Sequence, residues 1–211
     1  MKRIGLLGCG SIGTQIAIAI DTGKISAKLT HIFDQDKKKS ESLITKLKHK
    51  PEIVDNVHLL SSNPVDLVVE AASQDAVNDN ALSILQNRKD LLIMSGGALL
   101  DESVYEIISD ACKELKKNVY LPSGAISGLD AIKSVKNELD SVVLTTTKHP
   151  NSLKGAPFFE NFKINLDDIV ESSTIFEGTA SEAVRLFPKN INVSALLSLV
   201  GLGSHETIVK I

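Results

Sequence analysis

Gly8-Cys9-Gly10-Ser11-Ile12-Gly13 sits between an apolar run, Ile4-Gly5-Leu6-Leu7, and a helix-compatible run over residues 14–20. Asp34 follows 21 residues after Gly13, at the end of a second apolar run, Leu29-Thr30-His31-Ile32-Phe33. These residue types at this spacing suit a pyrophosphate joined to a ribose. Gly8 permits a tight turn off a strand, Gly10 lets the backbone approach an anion, and Gly13 lets a helix pack close to a sheet. Ser11 and Ile12 open that helix, whose unpaired N–H groups and partial positive charge favour phosphates. Asp34 would accept hydrogen bonds from both hydroxyls of an adenosine ribose, and its charge would repel a 2′-phosphate. The set points to a dinucleotide, NAD in preference to NADP. Lys37, Lys38 and Lys39 lie just beyond and leave NADP open; they read as phosphate contacts or as the wet face of a helix. The competing reading of the whole fingerprint is a doubly wound fold that keeps the turn and has lost the ligand.

The elements that must position these residues alternate through the first 120 residues. Residues 2–7, 27–33, 66–71, 91–94 and 118–121 read as strands, and residues 11–20, 36–48, 74–87 and 101–116 as helices. Gly23 stops the first helix, Pro51 follows the second, and Ser73 can cap the third. A short apolar piece covers residues 57–60. The strand at 66–71 lacks alternation, as expected of a parallel sheet covered on both faces. Strand-helix alternation of this kind means βαβ units and a doubly wound parallel sheet, an α/β fold.

After Pro122 the pattern changes. A helix is expected over 129–139, a β-branched strand over 142–147 and an irregular connection over 150–165. Residues 173–176 read as strand, 180–187 and 193–202 as helices, and 205–211 as a strand that has only just begun. The organisation is a dinucleotide-binding domain over 1–124 and a smaller α+β substrate domain over 125–211, with at most three strands in the second. A terminal strand at Ile211 is expected to leave an open sheet edge.

A chain of 211 residues with net charge −3 and no Trp gives no sign of a nucleic-acid partner. No apolar stretch reaches the roughly 18–20 residues that span a membrane, and because the start runs straight into a strand, no signal peptide is expected. Cys9 and Cys112 form no CxxC pair, so no metal is expected and reduced thiols in a cytoplasm fit best. Cys9 reads as a small filler of the glycine turn.

Five segments carry a resemblance beyond the fingerprint. They are Val68-Val69-Glu70-Ala71-Ala72-Ser73-Gln74-Asp75-Ala76-Val77, Met94-Ser95-Gly96-Gly97-Ala98-Leu99, Pro122-Ser123-Gly124-Ala125-Ile126-Ser127-Gly128-Leu129-Asp130-Ala131, Phe176-Glu177-Gly178-Thr179-Ala180-Ser181-Glu182-Ala183 and Phe187-Pro188-Lys189-Asn190-Ile191-Asn192-Val193. In order and spacing the chain resembles the L-aspartate dehydrogenases, which share the dihydrodipicolinate-reductase-like architecture. The resemblance implies oxidation of L-aspartate to iminoaspartate with NAD or NADP, the imine hydrolysing to oxaloacetate and ammonia or feeding NAD biosynthesis, in a homodimer. It implies cofactor contacts from Ala72, Ser73, Ala125 and Asn192. Asn192 also reads as a helix N-cap before Val193. The substrate has two carboxylates, so Lys148, where the family usually has a basic residue, and Lys189 are substrate candidates; each also reads as an exposed lysine. The apolar run over 193–202 reads as a dimer contact or as core.

The family's catalytic histidine belongs to an Asn-x-His segment about thirty residues beyond Asn192. None of His31, His49, His58, His149 or His205 matches it, so the resemblance implies that this residue lies beyond Ile211. His31 reads as a packed or edge residue, His49 and His58 as exposed, and His205 as the start of the final strand; His149, beside Lys148, is the one histidine to consider near a substrate. The alternative is a dinucleotide-binding protein or partner subunit without that histidine, and a third reading keeps the enzyme with another small amino or hydroxy acid.

Overall fold

Ile4, Leu6 and Leu7 of the first strand, β1 (Lys2–Leu7), are all buried. Neighbouring residues of a strand point to opposite faces, so β1 must be covered on both sides. The computed structural model describes residues 1–162, 164–188 and 192–211. Five further strands join β1: β2 (Ala27–Phe33), β3 (Glu52–Ile53), β4 (Leu67–Glu70), β5 (Asp90–Ile93) and β6 (Val119–Tyr120). Every pairing among them is parallel, in the order β3-β2-β1-β4-β5-β6. The crossovers carry α1 (Ser11–Asp21), α2 (Lys37–Thr45), α3 (Val57–Ser62), α4 (Gln74–Gln86) and α5 (Glu102–Leu115). The chain winds outward from β1 to β3, returns to β4 on the other side of β1, and winds outward again. This is the doubly wound Rossmann-type sheet expected from the alternation, with its switch point at the carboxyl ends of β1 and β4.

Side chains set the helix starts. Asp36 accepts from the Lys38 amide, Asn56 from Leu59 and Ser73 from Ala76, each satisfying an orphan N–H of a first turn. The short apolar piece at 57–60 is therefore the start of a helix, α3. Its Leu60 is fully buried over Gly5, where an added Cβ would lie 3.2 Å from the Leu60 side chain.

The chain divides into two compact units, Met1–Ala98 with Glu102–Pro122, and Leu99–Asp101 with Ser123–Ile211. The second contains α6 (Leu129–Ser134), β7 (Val142–Thr145), α7 (Phe158–Asn161), β8 (Glu177–Thr179), α8 (Ala180–Leu186), α9 (Asn192–Val200) and β9 (Thr207–Lys210). Its core gathers Phe158, Phe176 and Phe187 with Ala180, Ala183 and Val209. Phe187, fully buried, stacks on Phe158 at 5.0 Å between centroids and meets Phe176 edge-on at 5.4 Å.

Four expectations for this unit change. The strand expected at 173–176 begins at Glu177; ahead of it, the Ile175 and Phe176 amides donate to the Ile211 carbonyl at 2.8 and 3.3 Å, and the Ile211 amide donates to the Phe176 carbonyl at 3.0 Å. The last strand begins at Thr207 rather than His205, because the Thr207 amide first closes a turn onto Gly203. The helix expected over 129–139 stops at Ser134, whose hydroxyl competes for the Ala131 carbonyl, and a 3₁₀ turn over Lys136–Glu138 follows. The open edge expected at Ile211 is absent as well. β9 is the middle strand of the order β7-β9-β8, parallel to β7 and antiparallel to β8. Val209 at its centre is fully buried, so the strand that comes last in the chain is the one that both others pair with. The apolar run at 193–202 contributes to the core of its own unit, with Ala195, Leu196 and Leu197 of α9 buried.

Candidate functional site

β1 ends at Leu7, and Gly8 turns the chain with φ +100°, a region that favours glycine. A Cβ on Gly8 would lie 2.6–2.8 Å from the Ala71 carbonyl and the Ala72 nitrogen. The glycine turn and the end of β4 are thus in backbone contact. Gly13 is equally confined, since its Cβ would collide with the Gly8 carbonyl oxygen, whereas a Cβ on Gly10 would meet nothing within 4 Å. Ser11 and Ile12, both exposed, open α1, and no side chain caps its first turn. That open space beside uncapped N–H groups fits a pyrophosphate.

Asp34 follows β2. Its Oδ2 accepts from the Cys9 amide at 2.7 Å and its Oδ1 from the Asp36 amide at 2.9 Å. A carboxylate has about four acceptor positions, so two remain for ribose hydroxyls. Cys9 is buried, with Sγ 3.6 Å from the Ser40 hydroxyl, and burial pushes its thiol pKa up. It fills space rather than offering a thiolate.

Gly8, Gly10, Asp34, Ala72 and Ser73 line one crevice of about 760 Å³ at the switch point. Asp36, Lys39, Asp75 and Asp79 also line it. Lys38, Lys39 and Lys46 border a neighbouring depression of about 470 Å³ beside Gly10 and Ser11.

Glu70, the last residue of β4, belongs to no motif of the fingerprint, yet the structure places it directly behind the crevice. It is 1% exposed, and Ala72, Met94 and Ser95 all donate to its carboxylate. An acid closing an otherwise apolar strand is the signal that the sequence offers for it.

In the second unit, Ala125 lies exposed on a turn closed by the Ile126 amide on Ser123, and Asn192 is the first residue of α9. Gly124 (φ +60°) approaches that helix, its Cβ position lying 3.8 Å from Leu196. Lys148 lines a cavity of about 580 Å³ at the carboxyl ends of β7 and β9, together with Thr146, His149, Ser173 and Lys210. Lys210 pairs with Glu177 at 2.9 Å. Lys189, the other substrate candidate, lies outside the described residues.

His149 lines the cavity that holds Lys148. His31 is buried with Nδ1 3.0 Å from the Thr30 hydroxyl, and exposed His49 meets Asp21 at 2.9 Å. His58 is exposed on α3, and His149 accepts from the Asn151 amide at the start of a 3₁₀ turn. Among the described residues no group of three His, Cys, Asp or Glu stands ready for a metal, and no helix is long and apolar enough to cross a membrane.

Comparison with known proteins covers both units. Residues 8–122 match the family model for the homoserine dehydrogenase NAD binding domain, and residues 130–211 match that for the aspartate dehydrogenase C-terminal region. The chain is 66% identical to the L-aspartate dehydrogenase of Nitrosopumilus maritimus over 211 residues, which is 100% of this chain and 78% of that protein. It is 43% identical to the L-aspartate dehydrogenase of Methanocella arvoryzae, again over 100% of this chain and 78% of the relative. The crystal structure of aspartate dehydrogenase from Thermotoga maritima superposes with a TM-score of 0.75 at 29% identity, covering 100% of this chain and 77% of that one. With a NAD-binding sheet, a second unit of matching type and identity sustained from end to end, the chain belongs to the L-aspartate dehydrogenase family.

Proposed function

We propose that this protein is an NAD-dependent L-aspartate dehydrogenase. The reading is carried by one observation above the others: Gly8, Gly10 and Asp34 of the dinucleotide fingerprint line one crevice with Ala72 and Ser73, in a chain 66% identical to an L-aspartate dehydrogenase over all of its 211 residues. The reaction removes a hydride from the α-carbon of L-aspartate and a proton from its ammonium group, leaving iminoaspartate, which water converts to oxaloacetate and ammonia. NAD supplies the hydride acceptor when bound.

The chain's residues supply position and charge. Gly8, Gly10 and Gly13 shape the turn, Ser11 and Ile12 present backbone N–H groups, and Asp34 takes the adenosine ribose. Ala72 and Ser73 form the facing wall, and Ala125 and Asn192 are the contacts for the nicotinamide end. Asn192 suits a carboxamide, having both a donor and an acceptor. The acidic lining of Asp34, Asp36, Asp75 and Asp79 against Lys39 supports NAD over a 2′-phosphorylated cofactor, with NADP as the weaker alternative through Lys38 and Lys39. Lys148 and Lys189 are the proposed carboxylate ligands; for Lys148 the support is its place in a cavity rich in hydroxyl groups. We extend the proposal to a cytoplasmic homodimer whose imine product feeds pyridine nucleotide biosynthesis. Exposed Val143 on β7 supports a partner surface there.

The test is NADH formation by the natural gene product with L-aspartate, L-alanine and L-glutamate. The expected result is turnover with L-aspartate well above the other two. Equal rates with all three would sink the substrate assignment, and NADH binding without turnover on any of them would remove the dehydrogenase reading.

A further inference from the structure

A carboxylate buried without a cation is costly unless donors surround it. Glu70 is 1% exposed, and its partners are all hydrogen-bond donors. Oε1 accepts from the Ala72 amide at 2.7 Å and the Ser95 hydroxyl at 2.9 Å. Oε2 accepts from the Ser95 amide at 3.0 Å and the Met94 amide at 3.2 Å. One side chain therefore ties the turn after β4 to the turn after β5.

The Ala72 amide belongs to the peptide that packs against Gly8. A Cβ on Gly8 would lie 2.6 Å from the Ala71 oxygen, 2.7 Å from its carbonyl carbon and 2.8 Å from the Ala72 nitrogen. The peptide between Ala71 and Ala72 is thus held on one side by the bare Gly8 backbone and on the other by Glu70. Ala71, Ala72 and Ser73 line the crevice opposite the glycine turn. Without the Glu70 carboxylate, that peptide loses the acceptor for its N–H and its side-chain tie to Ser95, while the main-chain bond from the Met94 amide to the residue 70 carbonyl at 3.1 Å remains.

We propose that Glu70 is a positioning residue for dinucleotide binding, its buried carboxylate preforming the crevice wall that the Gly8 turn faces. The proposal rests on the dinucleotide reading given above. Glu70 acts through the backbone of Ala72 and Ser95, not by touching the cofactor. A preformed wall means that binding does not have to order the turn, which lowers its entropic cost.

The experiment titrates NADH by its own fluorescence into the wild-type protein and three variants, with thermal unfolding followed in parallel. Glu70→Gln sets an amide donor against N–H groups. Loss of a charge-assisted hydrogen bond is expected to raise the Kd for NADH by about tenfold or more. Ser95→Ala removes one donor and leaves three backbone donors in place, so its Kd should rise about threefold with little change in Tm. Val68→Ala, fully buried two residues earlier in the same strand, is the control for packing: Tm falls and Kd stays within about twofold. A Kd for Glu70→Gln that rises no more than that of Val68→Ala overturns the proposal. Should Glu70→Gln fail to fold, the decision passes to Ser95→Ala, where a wild-type Kd overturns it and a raised Kd supports it. A wild-type protein that does not saturate with NADH defeats the dinucleotide reading itself, and is recognised because the failure precedes any variant.

Discussion

The Cys9 amide donates to Asp34 Oδ2 at 2.7 Å, joining the glycine turn after β1 to the acid that follows β2. Asp34 thereby has two tasks, since the oxygens that would meet a ribose also brace the turn that would meet the pyrophosphate. Asp34→Ala should raise the Kd for NADH about tenfold and narrow the gap to NADPH. Fluorescence titrations with both nucleotides measure it, and unchanged affinity for both removes Asp34 from the site.

Gly8 and Gly10 should separate in behaviour. Gly8→Ala places a Cβ against the peptide between Ala71 and Ala72 at a φ of +100°, so it should cost about 1–3 kcal/mol of stability in addition to NADH binding. Gly10→Ala meets nothing within 4 Å and should leave Tm near that of the wild type while weakening NADH binding. Denaturant unfolding beside titration distinguishes the two; equal stability losses would contradict the assignment of Gly10 to open cofactor space.

Lys148→Ala should raise the KM for L-aspartate by roughly tenfold or more, the scale of a lost charged hydrogen bond, and leave the Kd for NADH unchanged. Steady-state kinetics with a parallel NADH titration is the check. An unaltered KM returns Lys148 to the status of a surface lysine.

Acid should weaken the protein partly through Asp66. Arg3 donates to it from backbone and side chain, the closest contact being 2.6 Å, and holds its pKa well below the ordinary carboxyl value of 3.8. A carboxylate with a depressed folded-state pKa stabilises the fold above its unfolded value, and that contribution disappears as pH falls through the folded value. The Tm difference between wild type and Asp66→Asn should therefore hold steady at neutral pH and close as pH drops below 3.8. The Thr179 amide and hydroxyl likewise lower the pKa of Glu182 in the α8 capping box, so Glu182→Gln should follow the same direction. A gap that widens toward acid would contradict the sign for either pair.

Phe187→Ala should cost about 3–5 kcal/mol, the range for deleting a fully buried aromatic. The ring is 0% exposed and packs against Phe158 and Phe176. Urea unfolding measures it, and a loss below about 1 kcal/mol would mean that this core can collapse around the gap.

The dinucleotide crevice is legible in the sequence because its parts are local. Glycines at Gly8, Gly10 and Gly13, a strand ahead of them and Asp34 at a fixed distance are features of adjacent residues, and a βαβ unit leaves a parallel strand few ways to return. Glu70 is harder to read. Its donors at Met94 and Ser95 lie 24 and 25 residues away, and nothing in an apolar strand announces which loops will converge on its last residue. In the second unit, the bounds of Glu177–Thr179 depend on pairing with the distant β9, whereas the break after Ser134 comes from a local contest between a hydroxyl and the backbone for the Ala131 carbonyl.

The amino-acid sequence alone determined the class of the fold, the position of the glycine turn, the acid at Asp34 and the change of character after Pro122, because periodicity and turn chemistry act over a few residues. Only the tertiary structure decided that β9 lies between β7 and β8, that Lys148 stands at the carboxyl ends of β7 and β9, and that Glu70 joins two turns. Those facts depend on pairings between residues far apart in the chain: the place of β9 goes with the burial of Val209 and Phe187 in one core, and that of Glu70 with the parallel pairing of β4 and β5.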